Sequence, residues 1–574
     1  MVFNKVFDFV KKHSEIFTII GLGIIFYFIF FFNIGNYALM DVDETRYVSM
    51  ARDMFNTKDF MTLYLNGEYF FEKPPLYFWL ECFSFGLFGK VNEFTARFPV
   101  AMCGTLICYL TYFMGKKVFS RTYGIVSSLI LATSFEFVIL AKFAILDIVV
   151  SACVAFSVMF GMITFFCRKD HKKFFVWLFY IFSGLAVMAK GLPGFIVPFG
   201  VTFFCLLVTD KLKSAFKPKY FLVGMVMFLL IVLPWHVAML HIHNPLFYEE
   251  YIIKHHLARF FGSDEIHRAE PFWFYFANLF WGLIPWTFSA IALIVAKIKG
   301  FDKKLLAKLA DIKSFGGLKN VINSVKSFNF DELDNSRKFL LLNWIAAIFI
   351  MGFFTASGTK LITYILPIYI HLAFILGFAW TNYIEKSRYE KSIGISVKVW
   401  GILCVIVAFV ALFTPLFLPQ QIYQDILPAK WMSIGFVAFC GVGSLLCLWK
   451  NNRKGIFLTY VIFTMLISAF CTKKFFEIDY KFGQDDLMQF AAYAKQKGDE
   501  LISFGDTRRY SLLYYSGYHI NYIEQTTSDN LKEYLEGGND LISIRKKYLD
   551  KYGQNIKYKI VMEGRKYVLL RGEE

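Results

Sequence analysis

The 574-residue sequence predicts a mostly α-helical polytopic membrane protein of about 13 transmembrane helices with a small α/β C-terminal domain. Two observations of composition and one of pattern lead there. Hydrophobic residues make up 57% of the chain and charged residues only 18%, too little charge for the surface of a soluble enzyme of this size. Aromatic residues reach 20%, which rules out a disordered chain. Apolar stretches of the length needed to cross a bilayer, ~20 residues, recur along the first four-fifths of the sequence and then stop.

The predicted spans lie near 16–38, 93–114, 122–141, 144–167, 174–189, 192–209, 220–241, 272–296, 339–356, 361–383, 399–416, 431–449 and 455–472. The first is longer than a signal-peptide core and no small-residue cleavage site follows it, so it reads as an uncleaved anchor. The stretch 75–89 reads as a re-entrant or interfacial piece. Lys and Arg set the orientation. With the N-terminus in the cytoplasm, 31 of the 61 basic residues fall in the N-terminal segment and six cytoplasmic loops, and 17 fall in the tail. The net charge of +17 is therefore largely topological. An odd number of spans puts the tail, 473–574, outside.

The membrane part, 1–472, and the tail read as separate domains. In the tail, Asp485–Gly498 has the pattern of an amphipathic helix. Leu501–Gly505 and Ile520–Ile523 read as strands, and Lys557–Met562 with Lys566–Arg571 read as a hairpin around Glu563-Gly564-Arg565. None of the 10 cysteines lies in the tail and no CxxC spacing occurs, so no disulfide framework and no thiolate metal site is expected. Gly21-Leu22-Gly23 and Gly441-Val442-Gly443 lie inside spans and read as helix-packing glycines, not nucleotide loops.

Polar groups at membrane depth point to function. They converge on the outer loops 39–92 and 242–271, which form the roof of the candidate site. The first contains Asp41, Asp43 and Glu44 beside Arg46, then Phe71-Glu72-Lys73-Pro74-Pro75. One or more of these acids should pair with Arg46 or face a wet cavity. The alternative is a surface helix with Asp43 or Thr45 as its N-cap. Asp147 stands at the outer end of the fourth span, and Lys142, Lys190 and Lys360 at three other outer span ends. A lone lysine there usually snorkels. Together with Arg46, Lys73 and Arg268, these three suggest a bound anion, and at that depth the natural anion is a lipid phosphate. His241, His243, His255, His256 and His267 have no four-ligand zinc spacing among themselves; one of them joined to a carboxylate such as Glu72 stays open.

Carboxylates, cations and aromatic walls at headgroup depth suit group transfer from a phosphorylated lipid. A carboxylate can take an acceptor proton and cations can stabilise the departing phosphate. No nucleotide-binding motif is present, so neither a nucleotide nor an organic cofactor is expected, and no nucleic-acid partner.

Several motifs add a resemblance. Asp43-Glu44-Thr45-Arg46-Tyr47, Phe71-Glu72-Lys73-Pro74, Lys190-Gly191, His267-Arg268-Ala269-Glu270-Pro271-Phe272-Trp273-Phe274-Tyr275 and Gly358-Thr359-Lys360-Leu361-Ile362-Thr363-Tyr364-Ile365-Leu366-Pro367 resemble the lipid A aminoarabinose transferases. These belong with the protein O-mannosyltransferase superfamily and its GT-C membrane glycosyltransferase fold. The resemblance covers about 16–472. It implies a polyprenyl-phosphate sugar donor, a lipid A or other periplasmic acceptor, and an enzyme of the bacterial inner membrane. It places the required acids on Asp43 and Asp147 and donor-phosphate contacts on Lys73 and Tyr364. It puts Arg46 beside the first acid and a metal pair, zinc, on Glu72 and His267. The family's Lys-Leu-Pro reads Lys360-Leu361-Ile362 here, which leaves the backbone after Lys360 less constrained.

The expected activity is transfer of a sugar, such as 4-amino-4-deoxy-L-arabinose, to lipid A or a related glycolipid. Protein O-glycosylation is the first alternative. A lipid-linked sugar flippase is the second, and internal repeats with broken mid-membrane helices would favour it; no such repeat is visible. A membrane-anchored interaction protein acting through its tail would leave the first loop's charges unexplained.

Overall fold

The computed structural model describes residues 14–215, 217–258, 270–299, 330–506, 509–536, 540–554 and 556–573. Every predicted span is occupied by helix. The first is α1 (Ser14–Phe26), extended by a π-turn over Tyr27–Phe31. The first long loop holds α2 (Asp43–Thr57), a two-stranded hairpin of β1 (Tyr64–Leu65) and β2 (Glu68–Tyr69), and α3 (Leu76–Phe88). At 13 residues α3 is shorter than a span.

The membrane body continues with α4 (Glu93–Val118), α5 (Arg121–Ala132), α6 (Phe135–Leu140), α7 (Asp147–Ile163), α8 (Lys169–Lys190), α9 (Leu192–Val208) and α10 (Pro218–His243). A π-helix follows over Tyr248–Ala258. Then come α11 (Phe274–Gly282), α12 (Thr287–Lys299), α13 (Asn335–Ala356), α14 (Ile368–Lys386), α15 (Glu390–Leu412), α16 (Gln420–Trp449), α17 (Arg453–Leu466) and α18 (Thr472–Gly483). Among the described residues, 8 helices are long and apolar enough to cross a membrane, and α11 with α12 are a helix pair that is apolar enough together but bent by 118°, a broken span or a re-entrant loop. The remaining predicted spans hold the shorter or interrupted helices α5 with α6, α7 and α9, and the 19-residue α14. The chain is a multi-pass membrane protein.

Local chemistry sets the ends of these helices. Asn92 and Thr95 form a reciprocal capping box at the start of α4. Gly191 breaks α8 from α9 at φ 72°, ψ −136°, a conformation open to glycine. A Cβ on Gly194 would lie 2.2 Å from the Ala186 carbonyl oxygen, so the two helices meet backbone to backbone. This sharp turn leaves Lys190 as the last residue of α8. Gly441 packs on the Gly401 carbonyl in the same manner, and Gly23 on Tyr109, as expected for packing glycines.

The last span does not stop at 472. Its helical axis is carried on by α18 to Gly483, and the soluble fold starts at α19 (Asp485–Lys497). A five-stranded sheet follows in the order β4-β3-β5-β7-β6. β3 (Leu501–Phe504) runs parallel to β4 (Asn521–Ile523) and to β5 (Leu541–Arg545), with Leu501 opposite Leu541. β6 (Tyr558–Glu563) and β7 (Tyr567–Gly572) form the antiparallel hairpin read from the sequence, closed by Gly564 N–H to the Tyr567 carbonyl at 2.9 Å. α19 and α20 (Ser511–Ser516) cover one face of the sheet, and α21 (Ser528–Glu536) and α22 (Lys546–Tyr552) the other. The central strand β5 was not anticipated. Both its faces are buried, so Leu541-Ile542-Ser543-Ile544 lacks the alternation that marks a half-exposed strand.

Candidate functional site

The acids of the first loop part company within one turn. Glu44 is fully buried against Arg97 of α4. Arg97 Nε and Nη2 donate to Glu44 Oε1 and Oε2 at 2.8 and 2.7 Å, and its remaining N–H groups reach the carbonyls of Ile34, Tyr37 and Ala38. The Met40 and Ala144 amides donate to the same carboxylate. This knot ties α2 to the start of the membrane body, and every donor of the guanidinium is satisfied.

Asp41 faces the C-terminal domain. Ser511 N–H and Thr45 Oγ–H donate to its Oδ1 at 2.8 and 2.6 Å, and Ser511 Oγ–H to Oδ2 at 2.6 Å. Burial pushes the Asp41 carboxyl upward in pKa, against the pull of the hydrogen bonds from Ser511 and Thr45. Neither Asp43 nor Thr45 caps α2, contrary to the capping alternative. Val42 holds the cap position without a side-chain bond, and Thr45 turns back to Asp41.

Asp43 is the first residue of α2, and its side chain is 61% exposed. Arg46 Nη2 donates to its Oδ1 at 2.8 Å, the pairing expected from three-residue spacing on a helix. Burial opposes the charge on Arg46. Tyr47, Asp43 and Glu72 outweigh it and hold the guanidinium above the ordinary arginine pKa, so it stays cationic. Burial also pushes the neighbouring Tyr47 hydroxyl up.

Asp43 and Arg46 open onto a cavity of about 1150 Å³ at the face that carries the C-terminal domain. Glu72, Lys73, Asp147, Lys190 and Tyr364 line it too, so most of the predicted site residues are brought together. Val150, Val154, Ile196, Val197, Phe353 and Phe354 give it an apolar wall. Asp147 begins α7 and Lys190 ends α8; their side chains are paired, 13% and 15% exposed, and Lys190 Nζ also stands 4.7 Å from the centre of the Tyr364 ring. Lys73 Nζ lies 3.6 Å from Glu72 Oε2 and donates to the Glu72 carbonyl at 3.1 Å.

The expected ring of cations takes a different form. Four acids among the lining residues, Asp43, Glu72, Asp147 and Glu250, pair with four bases, Arg46, Lys73, Lys190 and Lys254. Formal charge in the described wall therefore cancels. A cation beside an apolar wall is costly unless compensated, and each is compensated here.

Two predicted cations stand elsewhere. Lys360 lies beside the cavity residues Thr359 and Leu361, but its Nζ donates to the Glu270 carbonyl at 3.0 Å. Lys142 is buried and donates to the Ser468 carbonyl at 2.7 Å, tying the loop before α7 to the last span. Arg268 and His267 lie outside the described residues. Among the described residues no group of three His, Cys, Asp or Glu side chains is gathered to hold a metal. Glu72, one of the two implied ligands, does line the cavity, and its carboxylate is a donor of the kind zinc accepts.

Sequence reasoning missed Tyr47, Glu250, Lys254 and Tyr510 in the cavity wall. The Glu250–Lys254 pair, 3.2 Å apart at a spacing of four, carried a local signal. Tyr510, from the C-terminal domain, carried none.

Known proteins share parts of this sequence and this fold. Residues 15–247 match the family described as dolichyl-phosphate-mannose-protein mannosyltransferase. An uncharacterized protein of Aquifex aeolicus (strain VF5) is 32% identical over 261 residues, 45% of this chain and 50% of that protein. The undecaprenyl phosphate-alpha-4-amino-4-deoxy-L-arabinose arabinosyl transferase of Enterobacter sp. (strain 638) is 25% identical over 423 residues, 73% of this chain and 69% of its own length. The chain thus spans half the length of the first relative and little more than two thirds of the second. The crystal structure of ArnT from Cupriavidus metallidurans bound to undecaprenyl phosphate superposes with a TM-score of 0.75 at 18% identity, covering 98% of this chain and 100% of that one. The chain is thus similar to the mannosyltransferase family over residues 15–247, and as a whole it has the fold of the ArnT structure.

Proposed function

We propose that the protein is a membrane glycosyltransferase that moves a sugar, 4-amino-4-deoxy-L-arabinose or a close relative, from a polyprenyl-phosphate donor to lipid A or a related glycolipid. The observation that carries this reading is the cavity itself. Its lining combines apolar residues of the membrane helices with Lys190, Lys73 and Arg46. A prenyl chain fits the apolar residues and its phosphate the cations. The names of the relatives support the same donor. We place the cavity face in the periplasm and the N-terminus in the cytoplasm, on the strength of the basic excess in the opposite loops.

In this reading the bond from the anomeric carbon to the donor phosphate oxygen breaks, a bond to an acceptor oxygen forms, and polyprenyl phosphate leaves. Lys190, seated on the Tyr364 ring, takes the phosphate charge, with Lys73 in the same cavity. Because each cation already holds a carboxylate, the phosphate enters by exchange, freeing Asp147 from Lys190. A lipid A phosphate is ionised at neutral pH and gives up no proton, so Asp43 and Arg46 then orient it. With a hydroxyl acceptor, Asp43 would take the proton. The proposal includes zinc held by Glu72 with His267, which would add positive charge beside the donor phosphate. Loss of bound zinc in Glu72→Ala, read by elemental analysis of the purified protein, tests that part.

Mass spectrometry of lipid A and glycoprotein fractions, with and without the protein, tests the assignment. A sugar-sized mass increment on lipid A that depends on Asp43 is the expected result. An increment confined to the protein fraction would favour O-glycosylation, the reading suggested by the family matched over residues 15–247.

A further inference from the structure

The cavity is not built by the membrane body alone. Tyr510 lines it from the C-terminal domain, beside the residues of the Asp43–Arg46 turn. The next residue, Ser511, is fully buried and gives both its N–H and its hydroxyl to Asp41, two residues ahead of Asp43. Asp41 passes the contact into α2 through Thr45. The same short segment is held from a second point of the tail. Asp41 N–H donates to Gln484 Oε1 at 2.7 Å, and Gln484 Nε2 donates to the Leu39 carbonyl at 2.6 Å. Leu39 N–H donates in turn to Tyr515 Oη at 2.9 Å. Residues 39–41 are thus gripped from Gln484, Ser511 and Tyr515, all outside the membrane body.

A plain docking contact would need none of this at the turn that bears the site. Arg52 to the Tyr514 carbonyl at 2.8 Å and the paired bonds of Asn66 with Ile520 already fasten the domain farther along the first loop. A carboxylate that accepts three hydrogen bonds has its rotamer fixed, and it fixes the backbone that carries it. Here that backbone leads directly into the first turn of α2.

We infer that the C-terminal domain is a working part of the transfer site: Ser511, acting through Asp41, is a positioning residue for the Asp43–Arg46 turn, and Tyr510 forms the acceptor-facing wall. The assignment of Tyr510 rests on the proposed transfer reaction, in which Asp43 and Arg46 orient the acceptor and Tyr510 lines the same cavity. The positioning role rests on geometry alone. It also alters the meaning of a truncation: removing the tail would damage the site even though the proposed reacting residues lie in the membrane body.

The test uses full-length protein in lipid nanodiscs, with undecaprenyl phosphate as the probe of donor-side binding, undecaprenyl phosphate-linked 4-amino-4-deoxy-L-arabinose as the sugar donor for turnover, and lipid A as acceptor. Ser511→Ala, which removes the hydroxyl bond to Asp41 and keeps the N–H bond, should speed amide hydrogen exchange in residues 42–47 by about tenfold or more, the scale of losing one hydrogen bond to a charged group. Exchange in β3, β5 and β7 should stay unchanged. The same variant should lower kcat by a similar factor, with undecaprenyl phosphate binding within about twofold of the parent. Ser511→Thr, which keeps the hydroxyl, should restore both. Tyr510→Ala should raise KM for lipid A and leave undecaprenyl phosphate binding unchanged. Unaltered exchange in residues 42–47 would overturn the positioning role, and so would a uniform loss of protection through residues 484–573, which would mark Ser511 as a stabiliser of its own domain. Unaltered lipid A kinetics in Tyr510→Ala would overturn the wall. If the parent protein transfers nothing to lipid A, the proposed function fails while the exchange measurement still decides the positioning role.

Discussion

Two neighbouring acids, Asp43 and Glu44, occupy opposite worlds at the start of one helix. Glu44 and Arg97 form a pair closed off from solvent, with the carboxylate also bonded by two backbone amides. Asp43 and Arg46 form a pair of the same chemistry with the acid 61% exposed and open to the cavity. In the first region the charges are spent on each other and on carbonyls. In the second, one carboxylate edge stays available to a ligand. The difference teaches that whether an ion pair is closed or open to a ligand depends on what else its atoms touch, not on residue type.

Breaking the closed pair should have the largest effect. Arg97→Ala leaves Glu44 charged and buried, a loss of about 3–5 kcal/mol, which should remove most folded protein from the membrane. Size-exclusion profiles and thermal unfolding in detergent would show it; a stable Arg97→Ala protein would mean that water or a relaxed backbone replaces the knot. The open pair should behave in the reverse manner. Asp43→Asn should leave the unfolding temperature nearly unchanged, since such exposed pairs contribute at most about 1 kcal/mol. It should still lower sugar transfer by about 10²–10⁴-fold, the range for losing a positioned acid or base. Full transfer by that variant would remove Asp43 from the site.

Lys190→Ala comes next. Losing a charged hydrogen-bond donor to phosphate should weaken undecaprenyl phosphate binding by about 10–100-fold, measurable by titration in nanodiscs. Binding equal to the parent's would show that the donor phosphate lies elsewhere and that the Asp147 pair belongs with the Glu44 class. Lys254→Ala should have the smallest effect, a change of about two- to threefold in donor or acceptor KM, because its pair with Glu250 is local and substantially exposed. A larger loss would make the rim a third binding element.

The sequence determined what local chemistry and composition can carry. The helical membrane body followed from apolar segment length, and the hairpin of β6 and β7 from its turn. Three of the four cavity ion pairs join residues one to four apart, Asp43 with Arg46, Glu72 with Lys73 and Glu250 with Lys254, so spacing alone made them accessible. Tertiary structure decided the rest, because the contacts concerned span distances that no local pattern encodes. Asp147 meets Lys190 across 43 positions, and Asp41 meets Ser511 across 470. It turned Lys142 and Lys360 away from the cavity, since a buried ammonium goes to whichever carbonyl the packing offers. It also brought Tyr510 into the wall, because residues 39–41 are held by hydrogen bonds that exist only once the C-terminal domain has folded and docked on the first loop.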